Sequence, residues 1–239
     1  MKNDYDTTWR DVIASRHSVR AYTDRPIESD KRQVLERLAE SANLDATLSL
    51  QPVWDEPDAF GRSVMARYGH FSGVRNYIAL VGPRGGDTAF WLGYHGERLV
   101  LEAQRMGLNT CWVGLSYSKR HSAVTVGSGE KLYGVIAVGY GADQGRQHRS
   151  KDPHKVARDY DTAPEWYRRA VDWALLAPTA VNQQKFAFAW LGEVADPDNA
   201  RQSVDAVHLS TSAGFFTTMD MGIARLHFEL GAGRRVLWR

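Results

Sequence analysis

The fold of this chain is decided by RHSVR at residues 16–20. An apolar stripe of Trp9, Val12 and Ile13 precedes it and predicts a short amphipathic helix that runs into Arg16. The two arginines and the serine of the motif then lie within one helical turn of each other. Guanidinium and hydroxyl groups placed so closely together suit a phosphate ligand.

A second informative segment, APTAVNQ at residues 177–183, lies far downstream. Asn182 and Gln183 carry amide groups that can both donate and accept hydrogen bonds, and they follow a bend at Pro178 and Thr179. Such amides suit the edge of a flat heteroaromatic ring. The large separation of the two segments in the sequence also bears on the domain organisation of the chain.

Size and composition are typical of a soluble globular protein. The chain has 239 residues, with 43% hydrophobic and 24% charged residues, enough for one large α/β domain or two small lobes that share a core. A net charge of +2 gives no reason to expect a nucleic-acid partner. No apolar run approaches the roughly 20 residues that cross a bilayer, so no membrane association is expected.

The cysteine and histidine content narrows the compartment and the chemistry. The N-terminus has no hydrophobic signal core and Cys111 is the single cysteine, so we expect a cytoplasmic protein without an intrachain disulfide. The eight histidines form no zinc-binding pattern, and no metal is expected. Within its apolar segment, Cys111 is interpreted as an inert core thiol.

Apolar periodicity predicts alternating helices and strands. Residues 48–69, with Pro52 and Pro57, are interpreted as an irregular excursion, and Trp54 and Phe60 within it suggest a lid. A basic, helix-poor connector is predicted at residues 146–158. After the first helix, a second is predicted to begin near Ser29, and three more are predicted at residues 87–106, 166–176 and 221–230. The predicted strands cover residues 77–81, 108–113, 133–138, 186–190 and 236–238.

Two parts of the chain resemble each other. The pairs Gly96 and Gly222, Gly107 and Gly233, and Trp112 and Trp238 are each separated by 126 residues. The spacing predicts an imperfect internal duplication in which each half contributes helix, strand, helix and strand.

In their order along the chain, these motifs resemble those of the nitroreductase family. RHSVR resembles its N-terminal flavin motif, and residues 177–184 resemble its Ala-Pro-Ser-x-x-Asn-x-Gln segment. Residues 107–114 resemble the strand and turn beside the flavin, and residues 139–151 resemble a Gly-Tyr turn followed by basic residues near the phosphate. The resemblance covers most of the chain. It implies an α+β fold with a central, mostly antiparallel sheet flanked by helices.

The resemblance also implies a cofactor and a reaction. FMN would carry the redox chemistry without a dedicated catalytic acid or base, NADH or NADPH would be the transient donor, and an aromatic, nitro or quinone-type small molecule would accept the electrons in ping-pong fashion. Arg16 and Ser18, with Arg149 or Lys151, would hold the phosphate, and Arg20 would face the pyrimidine edge of the ring. The cofactor-binding residues implied are Arg16, His17, Ser18, Arg20, Val113, Gly114, Arg149, Lys151, Pro178, Thr179, Ala180, Asn182 and Gln183.

The sequence departs from the family pattern in two ways. Lys185 and Phe186 replace the usual Pro-Trp, and the Asn-bearing segment lies in the second half of the chain. The first half keeps RHSVR but has the degenerate residues 40–43 where the second element belongs. We therefore expect an intrachain pseudo-dimer with one flavin site, formed by residues 1–158 and 159–239. This arrangement favours a monomer, although a homodimer stays possible.

Other interpretations of the same residues stay open. Arg16 and Arg20 also fit solvated arginines at a helix end, and Asn182 also fits a turn residue. At the level of function, the alternatives are a flavin carrier or sensor without turnover, and a degenerate member that binds no flavin. The sequence does not identify the acceptor or distinguish NADH from NADPH.

Overall fold

The computed structural model describes residues 4–61 and 70–239. The chain divides into two compact units. Ser15–Gln147 forms the four-stranded unit, and Met1–Ala14 with His148–Arg239 forms the three-stranded unit. The predicted division after residue 158 separates the two halves of the proposed repeat and does not refer to compact units. It stays a prediction. In the described part of the chain, no helix is long and apolar enough to cross a membrane.

The four-stranded unit packs long helices against an antiparallel sheet. Its helices α2 (Ser29–Ala46), α3 (Asp58–Gly61) and α4 (Thr88–Arg105) alternate with the strands β1 (Ser49–Val53), β2 (Tyr77–Pro83), β3 (Asn109–Val113) and β4 (Glu130–Gly139). The strand order is β1-β2-β4-β3, and every neighbouring pair is antiparallel. β2 is buried from Tyr77 to Gly82, as expected of a central strand that is covered on both faces.

Local signals explain where the helices of this unit end. Gly107 has a φ of 78°, the left-handed conformation that glycine adopts without steric cost, and it closes α4 as predicted. α2 begins at Ser29 as predicted, and Glu28 in the N-cap position makes no side-chain cap. α2 then buries Leu35, Ala39 and Ala42.

The three-stranded unit contains α1 (Asp4–Ser15) except for its last residue, α5 (Glu165–Ala174) and α6 (Thr217–Ala232). Its strands β5 (Phe186–Asp196) and β6 (Asn199–Thr211) pair antiparallel, and β7 (Leu237–Trp238) adds to β6 in parallel. The aromatic rings of Phe188 and Phe228 stack at a centroid distance of 4.5 Å and join β5 to α6. Gly233, with a φ of 62°, closes α6.

Residues 48–69 are more regular than predicted where the structure describes them. β1 pairs with β2 although it contains Pro52, because an edge strand tolerates a residue that lacks an N–H donor. Phe60 is buried in the core of the unit, and the Trp54 indole donates to Glu36 at 2.7 Å. These two aromatic side chains are thus part of the packed structure. Residues 62–69 lie outside the described residues, and the predicted lid stays a prediction.

The α+β class and the antiparallel character are confirmed, but the strands form two sheets instead of one. The order α2-β1-β2-α4-β3 matches α5-β5-β6-α6-β7. β2 and β3 run parallel with β4 between them, and β6 and β7 run parallel as direct neighbours. The two units therefore share a connectivity in which β4 is the extra strand. The duplication itself stays a prediction that this order supports.

Candidate functional site

The predicted site residues fall into two sets, one in each unit. In the four-stranded unit, residues 16–20 follow α1 and run beside β3. Ser18 forms a parallel bridge with Thr110, and the Val19 N–H donates to the Thr110 carbonyl at 3.0 Å. The motif is therefore fixed by backbone pairing to the first residues of β3. Val113 and Gly114 follow at the other end of this strand, roughly 10 Å further along it.

Arg16 has an interior position in this set. Its side chain is only 3% exposed, and its Nε lies 3.8 Å from Oε1 of Glu97, a fully buried carboxylate on α4. The Trp112 indole donates to Oε2 of the same carboxylate at 2.8 Å. Burial lowers the pKa of Arg16, and the charge of Glu97 opposes this effect. The sequence suggested Arg16 as a phosphate ligand, and its side chain lies in the interior of the unit.

A glycine turn packs over the motif. Nδ1 of His17 lies 3.1 Å from the Gln144 carbonyl oxygen. A Cβ added at Gly145, which has a φ of 67°, would lie 2.7 Å from the Ser18 carbonyl oxygen, and one added at Gly141 would lie 2.4 Å from the Asp143 carbonyl oxygen. Glycine is required at both positions because a side chain would collide with the backbone of the motif at Gly145 and with the backbone of the turn itself at Gly141.

Ser18 and Arg20 have more accessible surroundings. Ser18 is half-buried and hydrogen-bonds the thiol of Cys111. Burial raises the pKa of Cys111, and Arg20, Ser18 and Arg16 act in the opposite direction. This thiol is buried, as predicted for an inert core cysteine. Arg20 is exposed, and among the described residues its guanidinium has no ion-pair partner. It is the cation of this set that a ligand can reach.

In the three-stranded unit, residues 178–184 form a tight loop after α5. Val181, Asn182 and Gln184 all have positive φ values, of 45°, 56° and 42°. Such values are uncommon outside glycine, and for the β-branched Val181 they indicate strain. The Val181 side chain is nevertheless 93% exposed. The surroundings of the loop, and not packing of its tip, must therefore impose its shape.

Gln184, which the sequence prediction left out of the site, is the buried centre of this loop. Its Nε2 donates to the Arg149 carbonyl at 2.8 Å and to Oδ1 of Asn182 at 2.7 Å, and its Oε1 accepts from the Lys151 N–H at 2.9 Å. The Asn182 amide also donates to the Arg149 carbonyl, at 2.9 Å. The structure thus brings Arg149 and Lys151 to the Asn-bearing loop, a contact that the sequence analysis did not predict. The signal for Gln184 was its position in the Asn-x-Gln pattern.

The two cations of this loop differ in their surroundings. Lys151 is exposed, and its ammonium group donates to the Gln184 carbonyl at 2.8 Å. The Arg149 side chain is also exposed and has no ion-pair partner among the described residues. The Lys151 ammonium is thus already hydrogen-bonded, and the positive charge of Arg149 is the more available of the two to a ligand.

Asp220, in the first turn of α6, was also missed by the sequence analysis. Its carboxylate is buried and accepts hydrogen bonds from the Ala180 N–H at 3.0 Å and from Nε2 of Gln183 at 2.7 Å. The same Gln183 nitrogen donates to the Phe215 carbonyl at 2.7 Å. No sequence pattern links residues 37 to 40 positions apart, so only the fold shows this contact. Among the described residues, no cluster of His, Cys, Asp and Glu could hold a metal ion.

Comparisons with known proteins point to one family. A family model described as "Putative TM nitroreductase" matches residues 10–232. The crystal structure of a "putative nitroreductase" from Thermotoga maritima is similar over 93% of this chain and 82% of its own, with 20% identity and a TM-score of 0.61. No curated protein matches the chain significantly.

Two shorter proteins share the fold over part of the chain. A "Putative NADH dehydrogenase/NAD(P)H nitroreductase" from Bacteroides thetaiotaomicron aligns over 62% of this chain and 95% of its own, with 21% identity and a TM-score of 0.50. A "Nitroreductase Family Protein" from Streptococcus pneumoniae aligns over 62% and 98%, with 12% identity and a TM-score of 0.51. At these identities the likeness establishes the fold alone.

Proposed function

The chain belongs to the nitroreductase family whose model matches residues 10–232, and we propose that it is an FMN-dependent oxidoreductase that takes hydride from NADH or NADPH. The observation that carries this proposal is the retention of both flavin elements. RHSVR is fixed against β3 in one unit, and the Asn-bearing loop is fixed by hydrogen bonds in the other. The Bacteroides relative is itself described as an NADH dehydrogenase and NAD(P)H nitroreductase.

The donor groups present fit a flavin phosphate and ring. Arg20 and Arg149 are exposed cations without an ion-pair partner among the described residues, and a phosphate or an anionic ring edge would supply one. We assign the phosphate to Ser18, Arg149 and Lys151. Arg20 is assigned to the pyrimidine edge, where a fixed positive charge stabilises the reduced form. Arg16 is assigned to stabilise the motif through its buried ion pair with Glu97.

The remaining candidates act through backbone groups and shape. His17 holds the glycine turn, and Val113 and Gly114 at the end of β3 are assigned as the backbone contacts of the ring. Pro178, Thr179 and Ala180 shape the second loop, and Asn182 and Gln183 order it by their hydrogen bonds. When bound, FMN supplies the hydride-transferring centre. The protein binds and orients it, and no side chain is assigned as a catalytic acid or base.

The test is an anaerobic absorbance titration of the FMN-reconstituted protein with NADH and then with NADPH. We expect loss of the flavin bands near stoichiometric donor, followed by recovery on addition of a quinone or nitroaromatic acceptor. Bound flavin that stays oxidised would indicate a carrier or sensor. Failure to bind FMN would reject the proposal.

A variant pair tests the phosphate assignment. Arg149→Ala should weaken FMN binding about tenfold or more, as expected for one charge-assisted hydrogen bond, and should leave riboflavin binding unchanged because riboflavin has no phosphate. Arg146→Ala, another exposed arginine of the connector, is the matched control and should change neither affinity. Equal losses for FMN and riboflavin would place Arg149 away from the phosphate. We propose that the active protein is a monomer, which sedimentation in the presence of FMN would test.

A further inference from the structure

Asp220 is a buried carboxylate that lies outside the predicted site and forms long-range hydrogen bonds. It lies in the first turn of α6 and is only 3% exposed, yet its hydrogen bonds reach back 37 to 40 residues along the chain. One oxygen accepts from the Ala180 N–H and the other from the Gln183 amide, at 3.0 and 2.7 Å. The carboxylate therefore holds residues 180 and 183, on both sides of the strained Val181.

The loop needs such a hold. Three of its residues, Val181, Asn182 and Gln184, have positive φ values, and each costs free energy relative to an ordinary conformation. Gln184 secures one side of the loop through Arg149 and Lys151. Asp220 secures the other side, because Gln183 is also tied to the Phe215 carbonyl directly before α6. Together these contacts over-determine the backbone between residues 179 and 184.

We propose that Asp220 is a positioning residue that fixes the backbone of residues 180–183 in the conformation that binds the cofactor, without touching the cofactor itself. This inference rests on the proposed FMN-binding role of that loop. A neutral side chain of the same shape does not replace the carboxylate. An Asn at position 220 has only one acceptor oxygen, so its amide nitrogen would face either the Ala180 N–H or the Gln183 amide donor. Reversing the Gln183 amide would relieve only the second clash and would leave the Phe215 carbonyl without its hydrogen bond.

The protonation of Asp220 is affected by its burial and by the same hydrogen bonds. Burial raises its pKa to about 6, and the hydrogen bonds from Gln183 and Ala180 oppose the rise. Within the described part of the chain, the groups that face this carboxylate from the loop are the neutral amides of residues 180 and 183, and no charged side chain contributes to the shift.

The test combines amide hydrogen exchange of the FMN-free protein with FMN titration. In Asp220→Asn we expect exchange at the Ala180 amide, corrected for its intrinsic rate, to rise about tenfold and FMN affinity to fall about tenfold, which corresponds to one lost hydrogen bond to a charged group. Glu229→Gln, on the same helix but bonded to Arg225 and Trp238, should change neither quantity.

The outcomes separate this inference from the function it rests on. Unchanged Ala180 exchange in Asp220→Asn would overturn the hold itself, whatever the FMN affinity. Faster exchange with unchanged FMN affinity would overturn the positioning role. A wild-type protein that binds no FMN would reject the proposed function, and the exchange data would then report on the hold alone.

Discussion

At the scale of single residues, the identity of the motif was predictable but the task of each side chain was not. RHSVR and the Asn-bearing segment stand out in the sequence because several functional groups occur close together. Glu97 and Asp220 act on them from distant positions in the sequence, and each contact depends on how the chain folds. The interior position of Arg16 likewise follows from the packing of α4 and not from the motif.

The Arg16–Glu97 pair is predicted to stabilise the protein. Glu97→Gln keeps an oxygen for the Trp112 indole but leaves a buried guanidinium without its opposite charge, which should cost about 3 kcal/mol of unfolding free energy. Urea unfolding measures this loss. Glu102→Gln on the same helix removes a partner of the half-exposed Arg105 and should cost less than about 1 kcal/mol. Equal effects of the two substitutions would contradict the structural role.

Val181 is predicted to be a strained residue. It combines a φ of 45° with a side chain that is 93% exposed, so its replacement loses almost no packing. Val181→Asn should raise the unfolding free energy by about 1 kcal/mol, because Asn adopts the left-handed conformation more readily. Val126→Asn, at an exposed valine whose φ is not positive, is the control for thermal unfolding and should give no gain. A gain at both positions would show that strain is not the cause.

At the scale of elements, the predicted helices agree well with the structure and the strands agree less well. The apolar stripes of α4, α5 and α6 repeat with helical spacing, so their existence could be predicted, and glycines follow the ends of α4 and α6. β6 was missed because Asn199–Thr211 is rich in polar residues and has no continuous apolar run. β1 was missed because Pro52 usually argues against a strand, and only its place at the sheet edge allows it.

The contact between α5 and α6 is predicted to depend on Gly231. A Cβ at this position would lie 2.9 Å from the Cα of Ala170 and 2.9 Å from the Cβ of Trp173, and neither atom can move without shifting α5. Gly231→Ala should therefore lower stability by about 1 kcal/mol, since the overpacking exceeds the gain in helix propensity. Thr218→Ala, at an exposed position of α6, should leave the melting temperature unchanged or slightly higher. A Gly231→Ala protein as stable as the wild type would mean that the helices can separate at little cost.

At the scale of the whole molecule, the sequence supported the fold class because the motifs occur in a family order, and the structure agrees with it. The division into two sheets could not be predicted, because which strands hydrogen-bond is a property of distant residues that periodicity does not encode. The repeat of 126 residues anticipates the shared order of helices and strands in the two units. It does not anticipate β4, the strand that the second unit lacks.

The proposed duplication leads to a prediction of one FMN per chain. In the first half, the residues that stand where the Asn-bearing loop belongs, 40–43, are part of α2. The amide of Asn43 is already engaged, because it donates to the Leu50 carbonyl at 3.1 Å and accepts from the Leu50 N–H at 2.6 Å. Under the proposed duplication, the chain keeps one complete set of flavin elements. FMN released by denaturation, measured against protein by amino-acid analysis, should give a ratio of one.

A variant at this position tests the reason for that ratio. Asn43→Ala should lower stability, because it leaves the two Leu50 backbone groups without partners, yet it should leave the FMN ratio at one. Arg20→Ala should instead lower the occupancy without changing stability, since its exposed side chain has no ion-pair partner among the described residues. A ratio of two in the wild type, or loss of flavin in Asn43→Ala at a temperature where that variant stays folded, would show that the first half retains a cofactor-binding role of its own.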